Sequence, residues 1–234
     1  AVRNAGALRI AACTAARQAA QEAAEAQAGD RRCRAAGVLP LPPSQLDCSA
    51  PMALPPEMNV LLSDVRPDKS FLDFSLSKKP TPTIEGPRDI IIEMRAAPIN
   101  PSDIGVIFGA SRRLDAVQTG ERCISAPIDP KFRGAFEKDQ YGNSRAGGVV
   151  CGNEGAGIVV AAGESQEAQA VLGKVVATFG SGGCYAEYYK TRAGGNAVMP
   201  MPDGVTPREA ASSFVNPLTV LGMLSTAQEA GHTG

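Results

Sequence analysis

The division of residues 59–206 into short apolar runs constrains the fold more than any other feature of this sequence. The chain has 25 glycines and 18 prolines but no tryptophan, and 5% of its residues are aromatic. Short runs bounded by such turn formers favour strands rather than a helical bundle. The run at residues 89–99 is the richest in β-branched side chains and is the clearest strand. The other predicted strands cover residues 59–65, 71–76, 149–162, 174–179 and 184–189.

The pattern changes at the C-terminal end of the chain. Thr206, Pro207 and Glu209 form the sequence of a capping box, which predicts a short helix through about Phe214. A second helix is predicted over residues 217–230, with a glycine just beyond its end. The predicted fold class is therefore mainly β with some α.

Composition excludes several classes of protein. The chain has 23 lysines and arginines against 24 aspartates and glutamates, a formal net charge of −1, which argues against a nucleic-acid partner. It has no apolar run of about eighteen residues, so no transmembrane helix is predicted. A hydrophobic content of 44% is that of a globular protein.

Histidine and cysteine usage limits the chemistry further. The chain has a single histidine, His232, so a zinc site built on several histidines is impossible, and any catalytic triad would have to use that residue. The six cysteines include no C-x-x-C pair, and a reducing compartment is the simplest interpretation. We expect His232 to lie near the C-terminal end of the last helix.

The first 58 residues differ from the rest. Residues 1–37 contain fifteen alanines and six arginines but three acidic residues. This composition is typical of a transit peptide for a chloroplast or mitochondrion. The alternative is an alanine-rich helix over residues 7–28 that docks on a partner. Residues 38–58 are rich in proline and predict a linker.

Three motifs in order resemble one enzyme family. They are Ala-Pro-Ile-Asn-Pro-Ser-Asp at 97–103, Gly-Asn-Glu-Gly-Ala-Gly at 152–157 and Asn-Pro-Leu-Thr at 216–219. A fourth block, Met-Pro-Asp-Gly at 201–204, lies between the last two. Together they resemble the zinc-independent branch of the medium-chain dehydrogenase/reductase superfamily, which includes quinone oxidoreductases and 2-enoyl thioester reductases.

The resemblance implies a fold and a domain division. Residues 59–206 would form a GroES-like irregular β-barrel, and residues 207–234 would be connecting helices. In the family these lead into a Rossmann domain that binds NADPH, and we expect that domain to be absent from this chain. NADPH is thus the cofactor that the resemblance implies, although this chain alone would not bind it.

The resemblance also implies site residues. Asn100 and Asn153 stand where zinc-dependent relatives place a cysteine and a histidine, and neither amide is a good zinc ligand, so no metal is predicted. Asn100 and Thr219 are the predicted catalytic residues, and Asn216 and Thr219 the predicted cofactor-binding residues. Fixed donors of this kind can stabilise a developing oxyanion. Helix capping by the asparagine of each Asn-Pro pair is the alternative.

Other residues near these motifs are open to two interpretations. The position that matches the tyrosine acid of enoyl reductases is Ser111, whose hydroxyl is a poor acid. Residues 110–148, including Tyr141, are either a lid or a solvated loop. The glycines at 152–157 run into a strand, which favours a tight turn over a phosphate site. Asp103 and Glu154 are either general bases or acceptors for backbone amides.

Two hypotheses of function follow. The first is the substrate-side domain of an NADPH-dependent oxidoreductase acting on a quinone or an α,β-unsaturated carbonyl. The second is a non-catalytic accessory subunit of an organelle complex, docked through residues 1–58 and helices 207–230. In the second, another protein would cover the apolar side chains of the helix over residues 217–230.

Overall fold

A computed structural model describes residues 54–109, 111–136, 138, 147–180 and 182–232. The predicted alanine-rich helix, the transit peptide and Tyr141 lie outside these residues, as does most of the proline-rich linker. In the described part no helix has the length and apolar character needed to span a membrane.

Within the described ranges, ten strands form two five-stranded sheets. The strands are β1 Glu57–Val65, β2 Phe71–Pro80, β3 Asp89–Ala96, β4 Val117–Gly120, β5 Cys123–Pro127, β6 Val149–Val150, β7 Glu154–Ala162, β8 Val175–Phe179, β9 Tyr188–Arg192 and β10 Val198–Pro200. The first sheet has the order β4-β5-β2-β1-β6 and the second the order β10-β8-β7-β3-β9. All pairings are antiparallel.

Four α-helices complete the described part: α1 Pro101–Phe108, α2 Gln166–Gln169, α3 Pro207–Ala210 and α4 Val215–Glu229. Two 3-10 helices, Arg113–Asp115 and Pro130–Phe136, lie between strands. The architecture is mainly β, a curled half-barrel of the GroES-like type followed by a pair of helices, as the sequence predicted.

The two sheets meet where β1 passes residues 184–187. Leu61 donates its N–H to the carbonyl of Tyr185 over 2.8 Å, and Glu187 donates to the carbonyl of Asn59 over 3.1 Å. A single bridge pairs Val60 with Ala186. These contacts join the two sheets into one curled wall.

The core follows from the β-branched runs. Ile90 and Ile92 of β3 are fully buried and pack with Val159 of β7 and Val176 of β8. A second cluster joins β7 and β8 to the C-terminal helices through Ala177, Phe214 and their neighbours. Strands β7 and β8 therefore share an apolar cluster with α3 and with Phe214, the residue before α4.

Several predicted boundaries were wrong for identifiable reasons. Strand β3 ends at Ala96, because Pro98 lacks the N–H that would continue the ladder. The strand predicted at 184–189 starts at Tyr188, since residues 184–187 cross between the sheets. The 149–162 run is broken in two at Gly152, whose φ of +92° interrupts an extended chain.

The segment 110–148 is neither wholly a lid nor wholly a loop. It contains β4 and β5, and β5 pairs with β2 from Phe71–Pro127 to Ser75–Cys123. Residues 117–120 and 123–127 of this segment are therefore part of the first sheet.

The two C-terminal helices begin close to the predicted places. The capping box of α3 is present, with Thr206 as N-cap, but the helix ends at Ala210, where Ser213 donates its hydroxyl to the Ala210 carbonyl. Helix α4 begins at Val215, and its N-cap residue is Phe214. Asn216 thus lies in the first turn, so the expected capping role of Asn216 is wrong.

Candidate functional site

The candidate site is a polar cluster at the junction of α1, the start of β7 and the start of α4. Asn100, Asp103, Asn153 and Glu154 are its buried members, each 4% exposed or less. Burying charged and amide groups is costly unless their hydrogen bonds are satisfied. The cluster meets this demand internally.

Asp103 holds the backbone on both sides of the cluster. Its Oδ2 accepts from the N–H of Asn100 at 2.7 Å, and its Oδ1 accepts from the N–H of Asn153 at 2.9 Å. The first contact fixes the start of α1, and the second fixes the turn before β7. Of its two predicted roles, general base or acceptor for backbone amides, the structure shows the second.

Glu154 connects the barrel to α4. Its Oε2 accepts from the N–H groups of Phe214 and Val215, both at 2.9 Å, and its Oε1 accepts from Nδ2 of Asn100 at 2.9 Å. A carboxylate at these N–H groups also faces the positive end of the α4 dipole. Glu154 therefore does the capping that the sequence assigned to Asn216.

Asn100 and Asn216 are in contact. Nδ2 of Asn216 lies 3.3 Å from Oδ1 of Asn100, to which it donates. Asn100 is buried, whereas Asn216 is exposed. Asn100 is also the N-cap residue of α1, as the capping interpretation of its Asn-Pro pair required, but its side chain points to Glu154 and Asn216.

Thr219 lies one turn beyond Asn216 on the exposed surface of α4. Its hydroxyl donates to the carbonyl of Val215 over 2.8 Å. It stands at one end of an open face of α4 that runs to His232. The roles predicted for Asn100, Asn216 and Thr219 stay predictions.

Asn153 is tied to the helix opposite. Its Nδ2 donates to the hydroxyl of Ser102 over 3.1 Å. Both asparagines at the positions of zinc ligands are thus engaged in hydrogen bonds. No group of three or more His, Cys, Asp and Glu side chains suited to a metal ion exists within the described ranges.

Cys184 and Tyr185 adjoin the cluster. Burial, with the charges of Glu154 and Asp103 adding to it, raises the pKa of the Cys184 thiol to about 12. A thiol in this state is protonated at neutral pH, whereas a zinc-binding cysteine is a thiolate. Burial and the charge of Asp103 also raise the pKa of Tyr185, whose hydroxyl donates to the carbonyl of Pro98 over 2.7 Å.

The glycines of the 152–157 motif have a packing role. A Cβ on Gly157 would lie 2.0 Å from the carbonyl oxygen of Glu93, and a Cβ on Gly152 would lie 2.4 Å from the Tyr185 ring. The motif leads into β7 rather than into a helix. It is therefore the close turn that the sequence analysis favoured.

Ser111 lies in the turn after α1. Its hydroxyl oxygen is enclosed and has no hydrogen-bond partner among the residues that the structure describes. The match of this position to the tyrosine acid of enoyl reductases stays a prediction.

No family model matches the sequence, and no curated protein does. A crystal structure of a candidate NADPH:quinone reductase from Mesorhizobium loti is similar at 26% identity and a TM-score of 0.52. That match covers 77% of this chain and 46% of the reductase.

Two further solved structures have lower scores. A candidate NADPH:quinone reductase from Bacillus thuringiensis has 23% identity and a TM-score of 0.46, covering 76% of this chain and 42% of its own. The Etr1p complex with NADP and crotonyl-CoA has 21% identity and a TM-score of 0.42, covering 72% and 43%.

The fold and the site define the class of protein. The chain carries a GroES-like fold. Its structural similarity is to a quinone oxidoreductase of the medium-chain dehydrogenase/reductase superfamily, as the motifs indicated. It spans a little under half the length of the solved relatives it matches. The comparisons lend no support to the accessory-subunit hypothesis or to an organelle location, which stay predictions.

The sequence analysis found most of the cluster but missed its central contact. The contact between Glu154 and the first amides of α4 joins residues 60 and 61 positions apart. One signal was available: Glu154 is a charged residue in a run of small and apolar residues that continues into a buried strand. Such a carboxylate needs partners, although the sequence does not say which.

Proposed function

We propose that this chain is the substrate-side part of an NADPH-dependent, zinc-independent oxidoreductase that reduces a quinone or an α,β-unsaturated carbonyl. The observation that carries the proposal is the hydrogen-bonded set of Asn100, Asp103, Asn153 and Glu154 in a GroES-like fold, in which Asp103 joins the two asparagines. In this set, the amides of Asn100 and Asn153 stand at the positions where the resemblance places the zinc ligands of the family's zinc-dependent members, and the Glu154 carboxylate caps α4. The similarity to the Mesorhizobium loti reductase supports it.

The described residues fit one end of the cofactor. Asn216 and Thr219 present polar groups at the exposed start of α4 and suit a neutral ring with polar substituents. The glycine motif at 152–157 leads into a strand and is closely packed, so it does not fit a pyrophosphate. The chain would therefore contribute contacts at the nicotinamide end.

NADPH, when bound, supplies a hydride, and a proton from solvent or a side chain completes the reduction of a quinone to a hydroquinone. The contribution of this chain is positioning and electrostatic stabilisation. The Thr219 hydroxyl can rotate from the Val215 carbonyl to a substrate oxygen that gains negative charge. Asn100 contributes from the buried side of the site without donating to the substrate, because its amide N–H₂ group is already bonded to Glu154.

The test is NADPH oxidation by the full-length protein with a simple naphthoquinone and with a crotonyl thioester, each in the presence of a metal chelator. We expect turnover of at least one acceptor and no loss on chelation. No oxidation of NADPH with either acceptor would contradict the proposed function.

The site assignment has its own variant and control. Thr219→Ala should lower kcat/KM by about tenfold, the value of one hydrogen bond to a charged transition state. Thr226→Ala is the matched control. Thr226 makes the same bond to a helix carbonyl, that of Gly222 over 2.9 Å, but lies about 10 Å further along the helix. Equal effects of the two variants would count against Thr219.

A further inference from the structure

Tyr185 joins three parts of the fold that are distant in the sequence. Its N–H donates to the carbonyl of Cys151 over 2.9 Å, and its carbonyl accepts from the N–H of Leu61 over 2.8 Å. Its hydroxyl donates to the carbonyl of Pro98 over 2.7 Å. One residue therefore contacts β1, the turn before β7 and the loop between β3 and α1.

That loop, residues 97–100, carries Asn100 into the candidate site. Strand β3 ends at Ala96, and Pro98 has no N–H with which to continue the ladder. At the far end of the loop, the N–H of Asn100 is bonded to Oδ2 of Asp103. The hydroxyl of Tyr185 thus holds the backbone two residues before Asn100, between the end of a strand and the start of a helix.

Packing against Gly152 fixes the direction of this hydroxyl. A Cβ at position 152 would lie 2.4 Å from Cδ1 of the Tyr185 ring and 2.6 Å from the Tyr185 backbone nitrogen. The φ of +92° at this position also favours glycine. The missing side chain at 152 therefore admits the ring, and the glycine backbone forms one wall of the space that the ring fills.

The charges around the phenol keep it protonated. Burial raises the pKa of Tyr185, and the negative charge of Asp103 raises it further. The single O–H of this neutral phenol is already donated to the carbonyl of Pro98. Tyr185 is therefore suited to hold the backbone rather than to pass a proton to a substrate.

We propose that Tyr185 is a positioning residue of the candidate site, and that its hydroxyl places Asn100 against Glu154 through the carbonyl of Pro98. The bond of 2.9 Å between Asn100 and Glu154 depends on where the loop delivers the asparagine. Tyr185 itself touches neither substrate nor cofactor. The catalytic part of this inference rests on the proposed function, whereas the placement of Asn100 does not.

Tyr185→Phe tests the placement, because it removes the hydroxyl and keeps the ring. Amide hydrogen exchange in the full-length protein then compares two donors to one carboxylate. The N–H of Asn100 is bonded to Oδ2 of Asp103, and the N–H of Asn153 to Oδ1. Protection at Asn100 should fall about fivefold, the equivalent of one neutral hydrogen bond, while protection at Asn153 should change by less than about twofold.

Turnover with NADPH and a naphthoquinone gives the second readout. Tyr185→Phe should lower kcat about fivefold and leave the Kd for NADPH unchanged, because the loop moves and α4 does not. In an Asn100→Ala background, the same substitution should have no further effect on kcat. A residue that acts through Asn100 loses its influence once that amide is gone.

Tyr188→Phe is the matched control. Tyr188 lies three residues further along the chain, in β9, where it pairs with Glu93 of β3. It is half-buried like Tyr185 but lies outside the loop that carries Asn100. Its substitution should change neither protection at Asn100 nor kcat.

Each outcome decides the inference. A fall in protection that is equal at Asn100 and Asn153, that extends to the N–H of Leu61, or that is absent overturns the placement. An unchanged kcat in Tyr185→Phe, or an undiminished effect in the Asn100→Ala background, overturns the catalytic part. Absence of NADPH oxidation by the wild type contradicts the proposed function, and exchange at Asn100 still decides whether Tyr185 holds the loop.

Discussion

Helices α3 and α4 begin eight residues apart, yet their first turns are stabilised in opposite ways. The N-terminus of α3 is capped by its own sequence, through Thr206 and Glu209, both exposed to solvent. The N-terminus of α4 is capped by Glu154, a carboxylate from β7 that is 1% exposed. The first cap sets a local boundary, whereas the second fixes a helix to the barrel and orients Asn100 at the same time.

The difference shows which helix caps can be recognised from neighbouring residues in the sequence and which cannot. The two partners of a capping box lie three residues apart, so the pattern can be recognised in the sequence. Because the α3 box is exposed, water can replace its hydrogen bonds, and its contribution to stability is small. A buried carboxylate with three donors contributes more, because each donor left without it pays its full desolvation cost. The α4 cap is therefore the point where fold stability and the candidate site are coupled.

The largest effect is expected at the remote cap. Glu154→Leu leaves two backbone N–H groups and the Asn100 amide without their acceptor, which should lower the free energy of unfolding by about 4 kcal/mol. Chemical denaturation of the full-length protein measures this. A loss of unfolding free energy no greater than that caused by Glu209→Leu would contradict the proposed difference between the two caps.

A somewhat smaller effect is expected at Asp103, which combines the two kinds of contact. It bonds locally to the N–H of Asn100 and remotely to that of Asn153. Asp103→Asn turns an N–H₂ group towards one of these donors and should cost about 2 kcal/mol. Denaturation midpoints of the variant and wild type test it, and an unchanged midpoint would refute the argument.

Acid titration at Asp89 sharpens the comparison, because this carboxylate also holds loop amides. Hydrogen bonds from the N–H groups of Glu85 and Gly86 keep the pKa of Asp89 below its ordinary value, with further help from Lys190 and Arg192. The stabilisation is thus present above the unfolded pKa of about 3.9 and is lost as pH falls through the folded value.

The matching variant is Asp89→Asn. It should be less stable than the wild type at neutral pH, and the difference should shrink as the pH falls below about 3.9. Denaturation midpoints of both proteins across this range give the readout. A difference that grows on acidification would contradict the assigned direction of the pKa shift.

The smallest effect is expected at the local cap. Glu209→Leu removes the acceptor for the N–H of Thr206, which water can replace because the site is exposed. The expected cost is about 0.5 kcal/mol. A denaturation midpoint clearly lower than this cost predicts would show that the capping box stabilises more of the protein than the first turn of α3.

Much of the fold was predictable because its signals are local. The β-branched run of β3, the turn-forming glycine at 152 and the Thr206–Glu209 box each act within a few residues. Side chains acting across the fold were not predictable in this way. The order of the two sheets, the crossing at residues 184–187 and the hydrogen bonds from the α4 amides to Glu154 depend on pairings between distant segments.

The candidate site divides along the same line. The motifs identified Asn100, Asn153 and Asn216 as residues of interest, and the structure brings Asn100 and Asn216 into contact. Which atom each amide turns outward could not be read from the motifs, because it is decided by Glu154. A carboxylate that only accepts imposes one orientation on every amide in line with it.

Amide hydrogen exchange at the start of α4 tests the central claim most directly, which is that Glu154 caps this helix from the barrel. In the full-length wild type, the N–H groups of Phe214 and Val215 should be protected. In Glu154→Leu, their protection should fall at least about tenfold more than that of Leu218, whose N–H bonds within the helix to the Phe214 carbonyl. Protection that falls equally at all three positions, or not at all, would contradict it.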